Sequence, residues 1–337
     1  MTTRIGINGF GRIGRQVLKA ILERHPQTLE VVAINDLVDT KTNAHLFKYD
    51  SNYGRFQGTV EAEGSGLLVN NRRVRVFAER NPGDIPWSDE NVQIVIESTG
   101  LFTDALRAGE HRKGSVKKVV ISAPAKNEDV TIVLGVNQDT YDPAKHSIIS
   151  NASCTTNGLA PVVKVLLDGF GFQKGQMTTI HSYTNSQRLL DVATNDLREA
   201  RAAGLNIVPT STGAARALRL VIPEVSGKLD GLAYRVPTPT VSIVEVVALT
   251  EKDTTVEEVN QAMFRASAER MNGILAITDE PVVSMDMKGN ENSSIVDGLS
   301  TNVVGGNLVK VASWYDNEWG YSCRVADLCQ FIVERGL

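Results

Sequence analysis

Cysteine is scarce in this chain. Three thiols, Cys154, Cys323 and Cys329, are spread over 337 residues with no CxxC pair. That odd, sparse set argues against a disulfide framework or a cysteine-rich metal site and fits a reducing compartment, so no metal site is expected. Long apolar runs are also missing: none approaches the roughly 18 residues that span a bilayer. The opening MTTRIGINGFGRIGRQ has no signal-peptide apolar core. Net charge is only −4, from 35 basic and 39 acidic residues, so no broad attraction to nucleic acid or an anionic membrane is expected. Tandem repeats, low-complexity tracts and obvious flexible linkers are absent from the sequence. What is present, 42% hydrophobic and 22% charged residues, suffices for a substantial core in two domains or one large one. The expectation is a globular cytoplasmic protein.

The first half alternates short β-branched runs with helical spacing. RIGING (residues 4–9) reads as a buried strand, and Ile13, Val17, Leu18, Ile21 and Leu22 then recur at helical intervals until His25-Pro26. LEVVAIND (29–36), VRVFAE (74–79), VQIVIES (92–98), KKVVIS (117–122) and TIVLGVN (131–137) read as further strands. Strands alternating with helices predict a doubly wound parallel sheet covered on both faces. Beyond residue 151 the texture changes. A helix is expected over 155–170, and strands over 176–183, 240–250 and 307–315. A capping box, Thr255 with Glu258, opens a helix after it, and residues 184–206 carry no strand periodicity. This half predicts an α+β unit with a mostly antiparallel sheet and helices on one face. Helical spacing from about residue 318 suggests a final helix that packs back on the first domain.

Two stretches bear chemistry. GFGRIG places Gly9, Gly11 and Gly14 between the first strand and the first helix. There, glycines permit a tight turn and let the backbone approach a pyrophosphate at the helix N-terminus. Asp36 ends the second strand, 22 residues after Gly14, where a carboxylate binds ribose hydroxyls and repels a 2′-phosphate. The loop, strand, helix and acid together predict a dinucleotide site, with NAD favoured over NADP. The second stretch is SNASCTTNGLAP, in which Cys154 follows the strand HSIIS and opens a helix. A helix N-terminus favours a thiolate, yet a lone cysteine is as readily a small apolar filler. Of five histidines, only His181, near the end of the strand TTIHSY, falls in the second half. A Cys154–His181 pair beside a nicotinamide has a chemical logic: thiolate attack on an aldehyde, with imidazole accepting the hydroxyl proton.

SNASCTTN, INGFGRIGR, HLFKYDS, IESTG, HSYTN, PTSTGAA, RVPTP and WYDNEWGY closely resemble the phosphorylating glyceraldehyde-3-phosphate dehydrogenases, in that family's order and over essentially the whole chain. The resemblance implies a Rossmann NAD domain over residues 1–152, completed by a C-terminal helix at 318–337, a catalytic domain over 153–317, and a homotetramer. It makes Cys154 the nucleophile and His181 its base and activator, with pairing expected to raise the thiolate fraction. It adds Arg12, Ile13, Arg80, Ser122 and Asn317 to Gly9, Gly11, Gly14 and Asp36 as cofactor contacts, with Asn317 holding the nicotinamide carboxamide by donating and accepting together. Thr184 and Arg235 would hold the phosphate of glyceraldehyde 3-phosphate, while Ser153, Thr155, Thr212 and Gly213 would hold inorganic phosphate.

Several positions depart from the family pattern. Gly158 stands where a second cysteine is usual, Ser186 where Asp is usual, and Thr240 where Asn is common. Glu199 replaces an arginine, bringing a negative charge toward the expected phosphate pockets, with Arg198 beside it as the substitute cation. Ala193 and Thr194 lie in a stretch that in relatives reaches the neighbouring subunit's adenosine ribose, which leaves NADP use open. The chain also ends at VERGL, without the acidic regulatory tail of some photosynthetic relatives. The alternatives are an erythrose-4-phosphate dehydrogenase, a non-phosphorylating aldehyde dehydrogenase, and a scaffold or binding protein with secondary catalysis. HSYTN and TSTG argue against the first, and the two implied anion pockets against the second. The retained Cys154, His181, Asn317 and Arg235 argue against the third.

Overall fold

The β-branched runs of the first half do form parallel strands. In a computed structural model that describes residues 2–337, β1 (Thr3–Asn8) leads through the glycine loop into α1 (Arg12–Arg24) and back to β2 (Leu29–Asn35). β1 pairs in parallel with β2. The helix α2 (Thr40–Lys48), capped by the Asp39 side chain, precedes a two-residue strand pair, β3 (Tyr49–Asp50) and β4 (Gly54–Arg55). Then come β5 (Val60–Glu63), β6 (Gly66–Val69), β7 (Arg72–Phe77) and β8 (Ile94–Glu97). The short helix α3 (Ala105–Ala108) leads to β9 (Lys118–Ile121), β10 (Val130–Thr131) and β11 (Ile148–Ser150). The sheet order is β10-β11-β9-β8-β1-β2-β7-β6-β5. The pairs from β10 to β7 are parallel, and β5 and β6 add an antiparallel edge that the sequence patterns had not revealed. The strands that reach the centre are buried on both faces, as a sheet sandwiched between helices requires.

One expectation fails here. The strand expected over 131–137 stops at Thr131. Gly135 takes φ +84°, and the Asn137 side chain accepts the Val133 N–H at 2.8 Å, which folds the segment into a turn.

The second half begins with α4 (Cys154–Phe170) and β12 (Lys174–Ser182). The polar residues 184–206 contain no helix or strand, in accord with their lack of periodicity. There follow β13 (Val208–Ser211), α5 (Ala214–Val221), β14 (Leu229–Val236) and β15 (Ser242–Leu249). The helix α6 (Val256–Ala268) starts with the expected capping box. β16 (Leu275–Thr278), β17 (Ser294–Asp297), β18 (Asn302–Val304) and β19 (Leu308–Tyr315) complete an eight-stranded sheet, β13-β14-β12-β15-β19-β17-β16 with β18 on β19. It is mostly antiparallel, as expected, with two parallel pairs, β12·β14 and β16·β17. The last helix is α7 (Trp319–Arg335). The chain forms two compact units: residues up to Ile132 with Asp139–Ala152 and Ser322–Leu337, and Val133–Gln138 with Ser153–Tyr321. Within the first unit, Asp327 on α7 accepts from Arg24 at 3.0 Å and lies 2.6 Å from His25.

Candidate active site

The three glycines of the loop have separate reasons to be glycine. Gly9 adopts φ +88°, and a Cβ there would lie 2.7 Å from the Thr99 nitrogen. A Cβ at Gly14 would lie 2.1 Å from the Gly9 carbonyl oxygen. At Gly11 nothing of the protein comes within 4 Å, so the missing side chain leaves open room outside the loop. Gly11 is the N-cap of α1 and no side chain caps that helix, which leaves its first N–H groups directed at an anion. Asp36 grips the same loop, its Oδ2 accepting the Phe10 N–H at 2.8 Å and its Oδ1 the Val38 N–H at 2.9 Å. A carboxylate retains further acceptor sites after those two bonds. Arg12 pairs with buried Asp50 at 2.7 Å, and Ile13 sits half-buried beside it. Ser122 donates its hydroxyl to the Glu97 carbonyl at 3.1 Å, and Arg80 is exposed. An uncapped helix, an open Gly11 and a carboxylate at the end of β2 fit a dinucleotide.

In the second unit the cysteine and histidine meet. Cys154 is the first residue of α4, and the Ser153 hydroxyl caps that helix by accepting the Thr156 N–H at 3.0 Å. His181 is the penultimate residue of β12, and its Nε2 lies 3.5 Å from the Cys154 Sγ. The parallel register of β12 and β14 sets Arg235 directly opposite His181, and its Nη1 comes 2.5 Å from the imidazole Nδ1. Tyr315, at the end of β19, packs edge-on to the His181 ring at 5.9 Å between centroids. Its hydroxyl joins those of Thr155 at 2.9 Å and Thr179 at 2.8 Å. A Cβ at Gly158 would lie 3.1 Å from the Tyr315 ring, so this glycine lets the phenol lie close against α4.

The electrostatics of the pair differ from the sequence expectation. Burial pushes the Cys154 thiol up, with the Arg235 charge pulling the other way. Burial, and then the same guanidinium, takes His181 down to about 3. Pairing with His181 therefore does not by itself raise the thiolate fraction. Withdrawal from water favours a neutral thiol beside a neutral imidazole, and Arg235 is the group that favours the thiolate. A guanidinium only donates, so Nδ1 accepts from Arg235, and the ring proton sits on Nε2 facing sulfur. The Ser182 carbonyl, 2.7 Å from the same Nδ1, competes for that position.

The remaining expected residues divide by their surroundings. Asn317 is buried, and its Oδ1 accepts from the Ser182 hydroxyl at 3.0 Å and the Ser242 hydroxyl at 3.2 Å. With both lone pairs used, its amide is oriented to donate through Nδ2 rather than to donate and accept together. The Thr184 hydroxyl touches that of Ser186 at 3.0 Å. Thr212 accepts the Ala214 N–H at 3.2 Å, and Gly213 is the N-cap of α5 with open space where a Cβ would be. Arg198 is exposed, its backbone N–H bonded to Asp196, while the Glu199 carboxylate is occupied by the Thr210 hydroxyl at 2.9 Å. Thr240 is buried and donates weakly to Asp316 at 3.4 Å. Ser182, Ser242, Thr179 and Tyr315 were not singled out from sequence. The motif neighbours HSYTN and WYDNEWGY contain two of them, but nothing local marks their partners. Among the described residues no cluster of three or more His, Cys, Asp or Glu could hold a metal, and no helix is long and apolar enough to cross a membrane.

A parallel sheet with a glycine loop and carboxylate, and a second unit bearing a thiol–imidazole pair, fit a dinucleotide-dependent dehydrogenase. Residues 3–105 match the family profile "Glyceraldehyde 3-phosphate dehydrogenase, NAD binding domain", and residues 153–317 match "Glyceraldehyde 3-phosphate dehydrogenase, C-terminal domain". The chain is 56% identical to the glyceraldehyde-3-phosphate dehydrogenase of Geobacillus stearothermophilus over the full length of both. It is 54% identical to glyceraldehyde-3-phosphate dehydrogenase 1 of Bacillus subtilis, again over both full lengths. With Streptomyces avermitilis glyceraldehyde-3-phosphate dehydrogenase 2 it shares 53% identity over 98% of this chain and 99% of the relative. The chain belongs to the glyceraldehyde 3-phosphate dehydrogenase family.

Proposed function

We propose that this chain oxidises D-glyceraldehyde 3-phosphate and joins the product to inorganic phosphate, giving 1,3-bisphosphoglycerate, with NAD as cofactor in glycolysis and gluconeogenesis. The observation that carries the reading is the 3.5 Å approach of Cys154 Sγ to His181 Nε2 at a helix N-terminus, with Arg235 against the imidazole. Bound NAD supplies the hydride acceptor. Gly9, Gly11, Gly14, Arg12, Ile13, Asp36, Arg80 and Ser122 hold it, and Asn317 donates to its carboxamide. With Arg235 drawn to the substrate phosphate, the His181 Nε2 lone pair takes the thiol proton, Cys154 attacks the aldehyde carbon as thiolate, forming a carbon–sulfur bond, and the proton passes to the new oxygen. His181 then takes that hydroxyl proton as the same carbon releases its hydride, which bound NAD would accept, leaving a thioester on sulfur. Inorganic phosphate, held by Ser153, Thr155, Thr212, Gly213 and Arg198, attacks that carbonyl, the carbon–sulfur bond breaks, and the thiolate returns. Thr184 and Arg235 hold the substrate's own phosphate, Arg235 as a guanidinium fork.

The NAD domain spans residues 1–152 with the helix at 318–337, and the catalytic domain spans 153–317. The enzyme is cytoplasmic and a homotetramer. Self-association is supported by the loop after β12, which leaves Leu189, Leu197 and Leu205 at least 80% exposed, since monomers rarely leave such a set uncovered. Steady-state NADH and NADPH formation, measured with and without inorganic phosphate, tests the reading. Rapid phosphate-dependent NADH formation is expected. Activity indifferent to phosphate would contradict it and make erythrose 4-phosphate the next substrate to try.

A further inference from the structure

Behind the glycine loop lies a polar network that the chemistry above does not use. Asn8, Glu97 and His111 are each no more than 2% exposed. Glu97, the last residue of β8, receives four contacts from donor groups. Oε2 accepts from Asn8 Nδ2 at 2.6 Å and His111 Nε2 at 3.0 Å, and Oε1 accepts from the Thr99 N–H at 2.8 Å and the Thr99 hydroxyl. The Trp87 indole N–H donates to His111 Nδ1 at 3.1 Å. An indole N–H can only donate, so the His111 proton is on Nε2 and points at Glu97. Asn8 Oδ1 in turn accepts from Asn35 Nδ2 at 2.8 Å, which also donates to the Glu79 carbonyl at 2.9 Å. The network thus fastens together the carboxyl ends of β1, β2 and β8 and the segment after β7.

Its position gives it a function. Every one of those strand ends reaches Gly9. Asn35 accepts the Gly9 N–H on its carbonyl at 2.9 Å, and the Ser98 hydroxyl donates to the Gly9 carbonyl at 2.8 Å. The Thr99 backbone, held by Glu97, sits where a Gly9 side chain would be, with nitrogen 2.7 Å from that Cβ position. Gly9 is the loop residue with positive φ, and Gly14 at the start of α1 packs on its carbonyl. A shift of Thr99 or Asn8 therefore displaces the loop and the first N–H groups of the helix together. Stability alone does not call for this arrangement, because replacing a buried charge by well-packed apolar groups is often neutral.

We propose that Glu97, backed by His111, is a positioning residue for the dinucleotide: its carboxylate sets the conformation of the glycine loop through Thr99 and Asn8. The proposal rests on NAD binding by this unit. In the E97Q variant the amide NH2 meets a donor whichever way it is turned: Asn8 and His111 on one side, or the Thr99 N–H on the other. The dissociation constant for NAD, read by calorimetry on the full chain, is expected to rise at least about tenfold, as for loss of a buried charge-assisted bond. KM for glyceraldehyde 3-phosphate at saturating NAD should stay within about twofold. H111Q, which can accept from Trp87 and donate to Glu97, should bind NAD like the parent, whereas H111F should bind more weakly. An unchanged NAD affinity in E97Q with only a lowered melting temperature would overturn the positioning role. Should E97Q fail to fold, equal affinities in H111Q and H111F would overturn it as well. If the parent chain itself fails to bind NAD, the underlying cofactor reading falls, and the proposal with it.

Discussion

Arg235 Nη1 lies 2.5 Å from His181 Nδ1, across a parallel strand pair that sets the two residues in register. The guanidinium thereby excludes a second proton from the ring and competes with the Ser182 carbonyl for Nδ1. A substrate phosphate that draws Arg235 away would let Nδ1–H donate to Ser182 and turn the Nε2 lone pair toward Cys154. Arg235→Gln is expected to lower kcat/KM for glyceraldehyde 3-phosphate roughly 10- to 150-fold, the range for one hydrogen bond to a charged group. The loss should be smaller with unphosphorylated glyceraldehyde, where only the support that Arg235 gives the thiolate is forfeited. In an NMR titration the His181 pKa should rise from its position near 3. Equal losses on both aldehydes would contradict the phosphate role of Arg235.

Acid should weaken the fold through His181. Its folded pKa, about 3, lies below the ordinary value of 6.5. As pH falls the unfolded chain is protonated first, so stability declines below about pH 6.5 and goes on declining toward pH 3. Between pH 7 and pH 5 this one group should remove about 2 kcal/mol. Urea unfolding of the parent and of His181→Asn at both pH values checks the sign. The parent should lose more stability than the variant, and equal losses would refute the linkage.

Asp36 bears on cofactor choice. Its carboxylate holds the Phe10 and Val38 N–H groups and would face the adenosine ribose. Asp36→Asn keeps the shape and removes the charge, so the ratio of kcat/KM for NAD over NADP should fall roughly tenfold or more. Parallel assays with the two cofactors read this directly. An unaltered ratio would move the discrimination elsewhere, with Ala193 and Thr194 the next residues to exchange.

The two serines behind Asn317 should matter to hydride transfer without touching substrate. Ser182→Ala and Ser242→Ala each remove one donor to Asn317 Oδ1, a loss of about 1 kcal/mol and up to about tenfold in kcat. The deuterium isotope effect with aldehyde-deuterated substrate should grow in both. A fall in kcat with no change in isotope effect would mean that the amide's orientation is not what the serines supply.

What could be read in advance was local. Gly9, Gly11, Gly14 and Asp36 follow one another within a single strand–turn–helix–strand unit, so spacing alone suffices to place them. Cys154 at the start of α4 was equally legible, because a cap and the helix share neighbouring residues. The contact of Cys154 with His181, and of His181 with Arg235, depends on which strands pair, over sequence separations of 27 and 54 residues. Periodicity says nothing about that: the scarcity of histidines and the chemistry suggested His181 for Cys154, the family resemblance supported that pair, and nothing suggested the contact of His181 with Arg235. β14 escaped notice because Asp230 and Gly231 interrupt its pattern, and its burial alternates only in part. The edge strand β5 carries exposed glutamates, which read as a solvated loop. Glu97 and His111 escaped for another reason: a buried polar pair leaves no periodic mark, and its donors, Asn8, Trp87 and Thr99, come from three different segments.

The most direct test of the central claim is intact-mass measurement after mixing the NAD-loaded enzyme with glyceraldehyde 3-phosphate in the absence of inorganic phosphate. A thioester on Cys154 predicts one burst equivalent of NADH per active site and one 3-phosphoglyceroyl group per chain. Peptide mapping should locate the group at Cys154, and added phosphate should discharge it. The Cys154→Ser variant should give neither burst nor adduct. Continuous NADH formation without any covalent species, or an adduct that survives in the variant, would contradict the account.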